Sequence, residues 1–155
     1  MNLTFHNENW AEFYQEAKEL FPLHWKELAV FQDKYKPDVD YWRYLKMHEL
    51  GIIDILAARV SGRLVGYVVA FLQVHLHYKS AGTMAYTDMY FVLPEFRKGV
   101  GLRLFVEFEK RMKAKGVVQL MTSCKVEHDR TEFFEKLGWA HTDNTFAKYI
   151  GAPCL

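Results

Sequence analysis

Apolar side chains in the first part of the chain recur every three or four residues. Trp10, Phe13, Tyr14, Ala17, Leu20 and Phe21 line one helical face, and Pro22 is expected to end that helix. A second short helix is expected over residues 23–31. A third opens at Asp40, carries Tyr41, Tyr44, Leu45 and His48, and closes at Gly51. The period then changes. Residues 52–60 are rich in branched apolar side chains, Ser61-Gly62 marks a tight turn, and residues 64–78 form a long β-type run. A glycine-containing loop over 79–83 leads into a strand over 84–92, which Pro94 ends. Three strands joined by short turns predict an antiparallel meander.

Strands and helices alternate beyond that point. Residues 101–115 place Leu104, Phe105, Phe108 and Met112 at helical spacing, with Lys110, Arg111, Lys113 and Lys115 gathered near the C-terminal end. Cations there suit the helix dipole, and Gly116 supplies a left-handed stop. A strand is expected over 117–123. Asp129-Arg130-Thr131-Glu132 has the spacing of a capping box opening a helix through Leu137, which Gly138 stops, and 139–150 are expected to return as a strand. The order predicts an α+β fold: a mixed, mainly antiparallel sheet flanked by helices. No repeat, low-complexity segment or linker divides the chain, so residues 1–155 are read as one domain.

Composition narrows the function. The chain has 155 residues, 50% hydrophobic and 25% charged, the profile of a packed globular protein. Twenty basic residues against nineteen acidic ones leave a formal charge of +1, which argues against nucleic acid or an anionic membrane as a general partner. Cys124 and Cys154 form neither a metal spacing nor a disulfide framework. His75 and His77 share one face of the long predicted strand, but no third ligand is evident, so no metal site is expected. With no secretory leader and no membrane-length apolar run, a cytoplasmic setting is expected. A homodimer is left open.

The segment richest in chemistry is Tyr90-Phe91-Val92-Leu93-Pro94-Glu95-Phe96-Arg97-Lys98-Gly99-Val100-Gly101-Leu102. A strand runs into a basic, glycine-containing turn and then directly into a helix. That arrangement suits an anion, because glycines admit close approach and the first helical turn points N–H groups outward. The dinucleotide fingerprint would need a third glycine after Gly99-Val100-Gly101, and a P-loop would need Gly-Lys-Ser/Thr; neither is present. What remains resembles the pyrophosphate turn of the GNAT N-acetyltransferases: Arg or Gln, two residues, Gly, one residue, then Gly or Ala. Counting back three from Gly99 gives Phe96 and not Arg97, so the turn is one residue shorter than the family's usual form. Phe133-Phe134-Glu135-Lys136-Leu137-Gly138-Trp139 resembles the family's late helix, and Val60-Ser61-Gly62-Arg63-Leu64-Val65-Gly66-Tyr67 the hairpin between its second and third strands. Together the three cover residues 52–150 in the family's order.

The resemblance implies an acetyl-CoA-dependent acyltransferase with a V-shaped opening between the strand ending at Val92 and the strand starting near Val117. It implies Phe91, Val92 and Leu93 beside the pantetheine arm. It also places Arg97, Lys98, Gly99, Val100, Gly101, Leu102 and Arg103 around the pyrophosphate, and Phe134 on the cofactor wall. The family often uses a tyrosine on the late helix as acid; the corresponding position here is Phe134, which cannot donate. Transfer to an amine needs a group to take the ammonium proton. Alternation along residues 84–92 puts Asp88, Tyr90 and Val92 on one face, making Asp88 the candidate base and Tyr90 the candidate acid. The leading expectation is an N-acetyltransferase acting on a small-molecule or peptide amine. The alternative is a GNAT-fold acyl-CoA-binding or regulatory protein with weak turnover.

Overall fold

Asn9 nucleates the first helix: its side-chain oxygen accepts from the Glu12 N–H, 2.9 Å away, in an N-cap. The computed structural model of the chain describes residues 2–151, and this helix, α1, spans Trp10–Leu28. A short helix α2 (Tyr41–Glu49) is capped in the same way by Asp40, which accepts from the Arg43 N–H. The sheet contains β1 (Leu3–Asn7), β2 (Ile53–Val60), β3 (Arg63–Val74), β4 (Thr83–Val92) and β5 (Val117–Met121), in that spatial order. The first three pairings are antiparallel and β4 pairs with β5 in parallel. Between β4 and β5 lies α3 (Arg97–Ala114), and α4 (Thr131–Lys136) follows β5. The mixed α+β architecture with a mainly antiparallel sheet is the one the sequence pattern predicts.

The two faces of the sheet are covered by different helices. Phe13 and Phe21 of α1 pack edge-on against Tyr67 of β3, and Tyr67 neighbours Phe91 of β4. The next residue back along β4, Tyr90, points the other way and meets Phe105 of α3 and Phe134 of α4. Trp10, Phe13, Ala17, Leu104, Phe108 and Met112 are fully or almost fully buried. Consequently both the α1 stripe and the α3 stripe that the sequence predicts are core.

Several expectations are corrected. Pro22 does not end α1; the helix continues six residues further to Leu28. Proline removes its own N–H bond and crowds the Lys18 carbonyl, a local cost on the exposed side of the helix, while the apolar stripe continues through Phe21 onto the sheet. The separate helix over 23–31 therefore does not form. The helical pattern of the N-terminus does not predict strand β1, because five residues with three polar members give too short an alternation to register. Gly51 does close α2, with φ +69°. The run over 64–78 ends as a strand at Val74, leaving His75 and His77 in an exposed turn, where the His77 N–H donates to His75 Nδ1. Asp129 does not form the expected capping box: its carboxylate accepts from the N–H and hydroxyl of Thr131, and Glu132 pairs with Lys136 instead. Finally, residues 139–150 carry no strand. Phe146 and Ile150 are 92% and 87% exposed, so the apolar positions of this segment find no sheet to bury against. Cys154 lies outside the described residues.

One ion cluster fastens α3 to the sheet. Asp54 of β2 is only 3% exposed, and its carboxylate receives two bonds from Arg111 (2.7 and 2.9 Å) and a third from Lys115. Burial alone would raise its pKa; the two cations outweigh it and hold the carboxyl below the usual range. Asp54→Ala should destabilise the protein by about 3 kcal/mol, the lower end for a broken buried pair because both cations keep some water. In the wild type this contribution is complete above the ordinary aspartate pKa, about 3.9, and is lost as pH falls through the lower native value. Chemical denaturation of wild type and variant from pH 7 to pH 2 checks this: the gap between them should close below about pH 4.

Candidate functional site

The parallel pairing of β4 with β5 covers only the first half of β4. It runs from Thr83↔Val117 to Tyr86↔Met121 and stops. Immediately beyond, the hydroxyls of Thr87 and Thr122 meet at 2.7 Å, joining the strands by side chains where the backbone ladder ends. Further on the strands part. Tyr90 bridges the opening by donating its hydroxyl to the Ser123 carbonyl, 3.0 Å away. The other edge of β4 stays paired with β3 along its length, from Val74↔Thr83 to Gly66↔Val92, with one bulge. Leu93 bonds to Val65 of β3 and the Phe91 carbonyl points at Gly66, so by alternation the peptide groups of Tyr90 and Val92 turn to the β5 side, where a cleft of about 510 Å³ opens.

A bulge sits at the parting. Val69 pairs with Met89 and Ala70 with Thr87, so Asp88 is an extra residue with no partner on β3. This overturns the expected alternation. Asp88 turns to the α1–α2 side, where the Tyr44 hydroxyl donates to its carboxylate at 2.5 Å, while Tyr90 lies on the α3–α4 side. The carboxylate opens to the cleft, yet burial raises its pKa and the Tyr44 bond only partly offsets this. Tyr44 is itself held by stacking on Trp10, with centroids 4.3 Å apart and planes 14° apart. Burial likewise pushes the Tyr90 phenol up, so it stays protonated.

At the end of β4 the chain makes one turn over Pro94–Phe96 and then breaks helical geometry at Lys98 (φ −69°, ψ 95°) and Gly99 (φ +95°, ψ −30°). Only glycine adopts the second conformation readily. Gly101 is different: its φ is ordinary, and a Cβ built there would meet nothing within 4 Å. Glycine inside a helix costs roughly 1 kcal/mol relative to alanine, so the chain's own packing gives no reason for it. Gly99 and Gly101 both line the cleft, where their missing side chains leave backbone open to a ligand.

The individual expectations for this turn divide. Arg97 does not reach outward. Its guanidinium pairs with Glu27 of α1 at 2.6 Å, donates to the Val92 carbonyl at 3.0 Å and covers the Phe91 ring. An acidic partner that close claims the charge, which the one-residue-short turn leaves pointing back along β4. Arg103 lies over Phe5 of β1 and outside the cleft. Val100 is buried in the core, and Leu93 is buried with its N–H spent on the Val65 carbonyl. Lys98 is exposed and does not itself line the cleft, although its neighbours Arg97 and Gly99 do. Phe91, Val92, Gly99, Gly101, Leu102 and Phe134 do line the cleft, together with Asp88 and Tyr90.

Sequence reasoning missed the walls. His24, Glu27 and Leu28 come from the part of α1 beyond Pro22, and Lys125, His128 and Arg130 come from the loop after β5. The break assigned to Pro22 hid the first group. The second lies where no periodicity operates. Cys124 also reaches the cleft, its sulfur accepting from the Arg130 N–H. No helix of the described residues is long and apolar enough to cross a membrane, and among those residues no three metal-ligating side chains cluster.

Comparison with known proteins agrees with this geometry. The model of the acetyltransferase (GNAT) family matches residues 10–139. No curated protein sequence matches significantly. Among solved structures, a ribosomal-protein-alanine N-acetyltransferase from Brucella melitensis biovar Abortus 2308 superposes with a TM-score of 0.72 at 16% identity, covering 97% of this chain and 100% of that one. A glucosamine-6-phosphate N-acetyltransferase from Arabidopsis thaliana gives 0.71 at 17%, with the same coverage. An aminoglycoside acetyltransferase from an uncultured soil metagenomic sample, in complex with sisomicin, gives 0.70 at 14%, covering 97% and 95%. Identities this low carry the fold and leave the acceptor undefined.

The Tyr44–Asp88 bond makes a direct prediction. Because Tyr44 donates to the carboxylate, Tyr44→Phe should raise the Asp88 pKa beyond its already raised position, while the ring keeps its stack on Trp10. A carbon-13 carboxyl titration resolves this; an unchanged Asp88 midpoint would show that the bond carries no electrostatic weight.

Proposed function

Because the chain belongs to the GNAT acetyltransferase family, we propose that it transfers an acetyl group from acetyl-CoA to an amine by direct attack. The observation that supports this best is the free edge of β4 running into the Gly99–Gly101 turn. It offers one continuous track, backbone groups for an extended arm and then an anion site for phosphates. Acetyl-CoA supplies a thioester open to attack by a neutral amine.

The chain's own groups divide the remaining work. Asp88 takes the proton of the incoming ammonium, and its raised pKa makes it a better base near neutral pH than an ordinary aspartate. Tyr44 orients that carboxylate. Tyr90 stands on the opposite wall as the protonated group available to a departing sulfur. Arg97, fixed by Glu27, braces α1 against the end of β4 and keeps the track straight. The acceptor is a small-molecule or peptide amine. One observation favours a second reading, an acyl-CoA-binding protein with weak turnover: Phe134 packs on Tyr90 where the family often has a tyrosine acid, and Tyr90 is tied to Ser123.

One prediction tests the cofactor track that both readings share, and a second separates them. Gly101→Ala should stabilise the fold by up to about 1 kcal/mol through helix propensity. The same change should weaken CoA binding about tenfold, or roughly 1.4 kcal/mol. Thermal melting and calorimetric titration read the two effects separately, and unchanged affinity would place the phosphates elsewhere. Asp88→Asn should lower turnover by ~10²–10⁴-fold at neutral pH, with recovery at high pH where free amine is abundant. A wild-type pH–rate profile in that variant would remove Asp88 from the mechanism; absence of turnover by the wild type with any amine, alongside CoA binding, would favour the second reading.

A further inference from the structure

His24 is the one imidazole on the α1 wall of the cleft, and the proposed acyl transfer gives it no role. Its ring lies flat on Phe91 of β4, with centroids 5.0 Å and planes 17° apart. Its Nδ1 is 2.9 Å from the Tyr67 hydroxyl. Tyr67 is 0% exposed, and among the described residues that hydroxyl has no other hydrogen-bond partner. A buried hydroxyl that fails to donate loses a full hydrogen bond, so Tyr67 donates and Nδ1 accepts. The imidazole proton then resides on Nε2. The two ring nitrogens lie on opposite sides of the ring. With Nδ1 tied inward to β3, Nε2 is directed away from the core on a residue that lines the cleft.

We propose that His24 is a cofactor-binding residue whose Nε2–H donates to an amide carbonyl of the pantetheine arm, with Tyr67 fixing the tautomer. The inference rests on the acetyl-CoA reading above. Position supports the assignment. Phe91 lies between Asp88, where the acetyl group would react, and the Gly99 turn, where the phosphates would lie, so the His24 ring flanks the middle of the track. Chemistry supports it too. A neutral donor suits a neutral amide oxygen, and the surroundings of His24 keep it neutral: burial, helped by Lys125 across the cleft, outweighs the opposing charge of Glu27 and lowers its pKa to about 4. Tyr67 from β3 and Phe91 from β4 complete its surroundings and carry no charge.

The test compares two ligands on two proteins. The variant is the pair His24→Phe with Tyr67→Phe, which keeps both rings and leaves no orphaned hydroxyl. Calorimetric titration with CoA and with 3′-phospho-ADP, the same nucleotide without the arm, reads the contribution of the arm alone. The variant should bind CoA about tenfold more weakly and bind 3′-phospho-ADP as the wild type does. Equal CoA affinities, or equal losses for both ligands, would overturn the assignment. A wild type that binds neither ligand would overturn the cofactor reading itself and this inference with it. Nitrogen-15 imidazole shifts of the wild type without ligand add an independent readout: Nε2 should be protonated and Nδ1 bare from pH 8 down to pH 5. An Nδ1-protonated ring, or one titrating near its ordinary midpoint, would equally contradict the proposal.

Discussion

The site depends on one constraint: β4 is paired on both edges for its first half and on only one edge for its second. A parallel ladder that stops at Tyr86 and Met121 leaves the outward peptide groups beyond it without a strand partner, and buried peptide groups left unpaired are costly. The structure makes the parting stable by local means. Thr87 and Thr122 close the apex through their hydroxyls, Asp88 is inserted as a bulge that bends β4 away, and Tyr90 props the gap against Ser123. Each of these contacts acts within a few residues of the same point. Removing the bulge would return Asp88 to the ladder and turn Tyr90 onto the α1 face.

The rest of the molecule is arranged around that opening. On one face Phe91 and Tyr67 receive α1, which carries His24 and Glu27 to the cleft. On the other, Tyr90 receives Phe105 and Phe134. Asp54 with Arg111 and Lys115 fixes the far end of α3 to β2, so the glycine turn at its near end meets the end of β4 at a set angle. Glu27 and Arg97 then tie α1 to that junction. The polar contacts thus sit at the ends of elements whose middles are held by apolar packing.

Much of this was legible in the sequence. Branched apolar runs ended by Gly62 and Pro94 placed β2, β3 and β4 within a few residues, and the basic glycine turn marked the head of α3. The family resemblance then supplied the parting of β4 from β5. What stayed hidden depends on contacts between residues far apart in the chain. Nothing local to Arg97 indicates that Glu27, seventy positions earlier, would claim its guanidinium. Nothing local to Asp88 reveals a bulge, since a register shift is a property of two strands and strict alternation was the only available assumption. Pro22 misled because its penalty is local, whereas the burial that continues α1 is tertiary. The segment over 139–150 failed in the opposite direction: its alternation suits a strand, but no neighbour accepts it.

The central claim is that the unpaired edge of β4 and the glycine turn form a single binding track for CoA. Backbone amide shifts of nitrogen-15-labelled protein on titration with CoA test it most directly. The account predicts that the amides of Tyr90, Val92, Gly99, Gly101 and Leu102 move together along one saturating curve, while those of β1 and β2 stay still. Saturable shifts confined to any other part of the molecule, or none along the second half of β4, would contradict it.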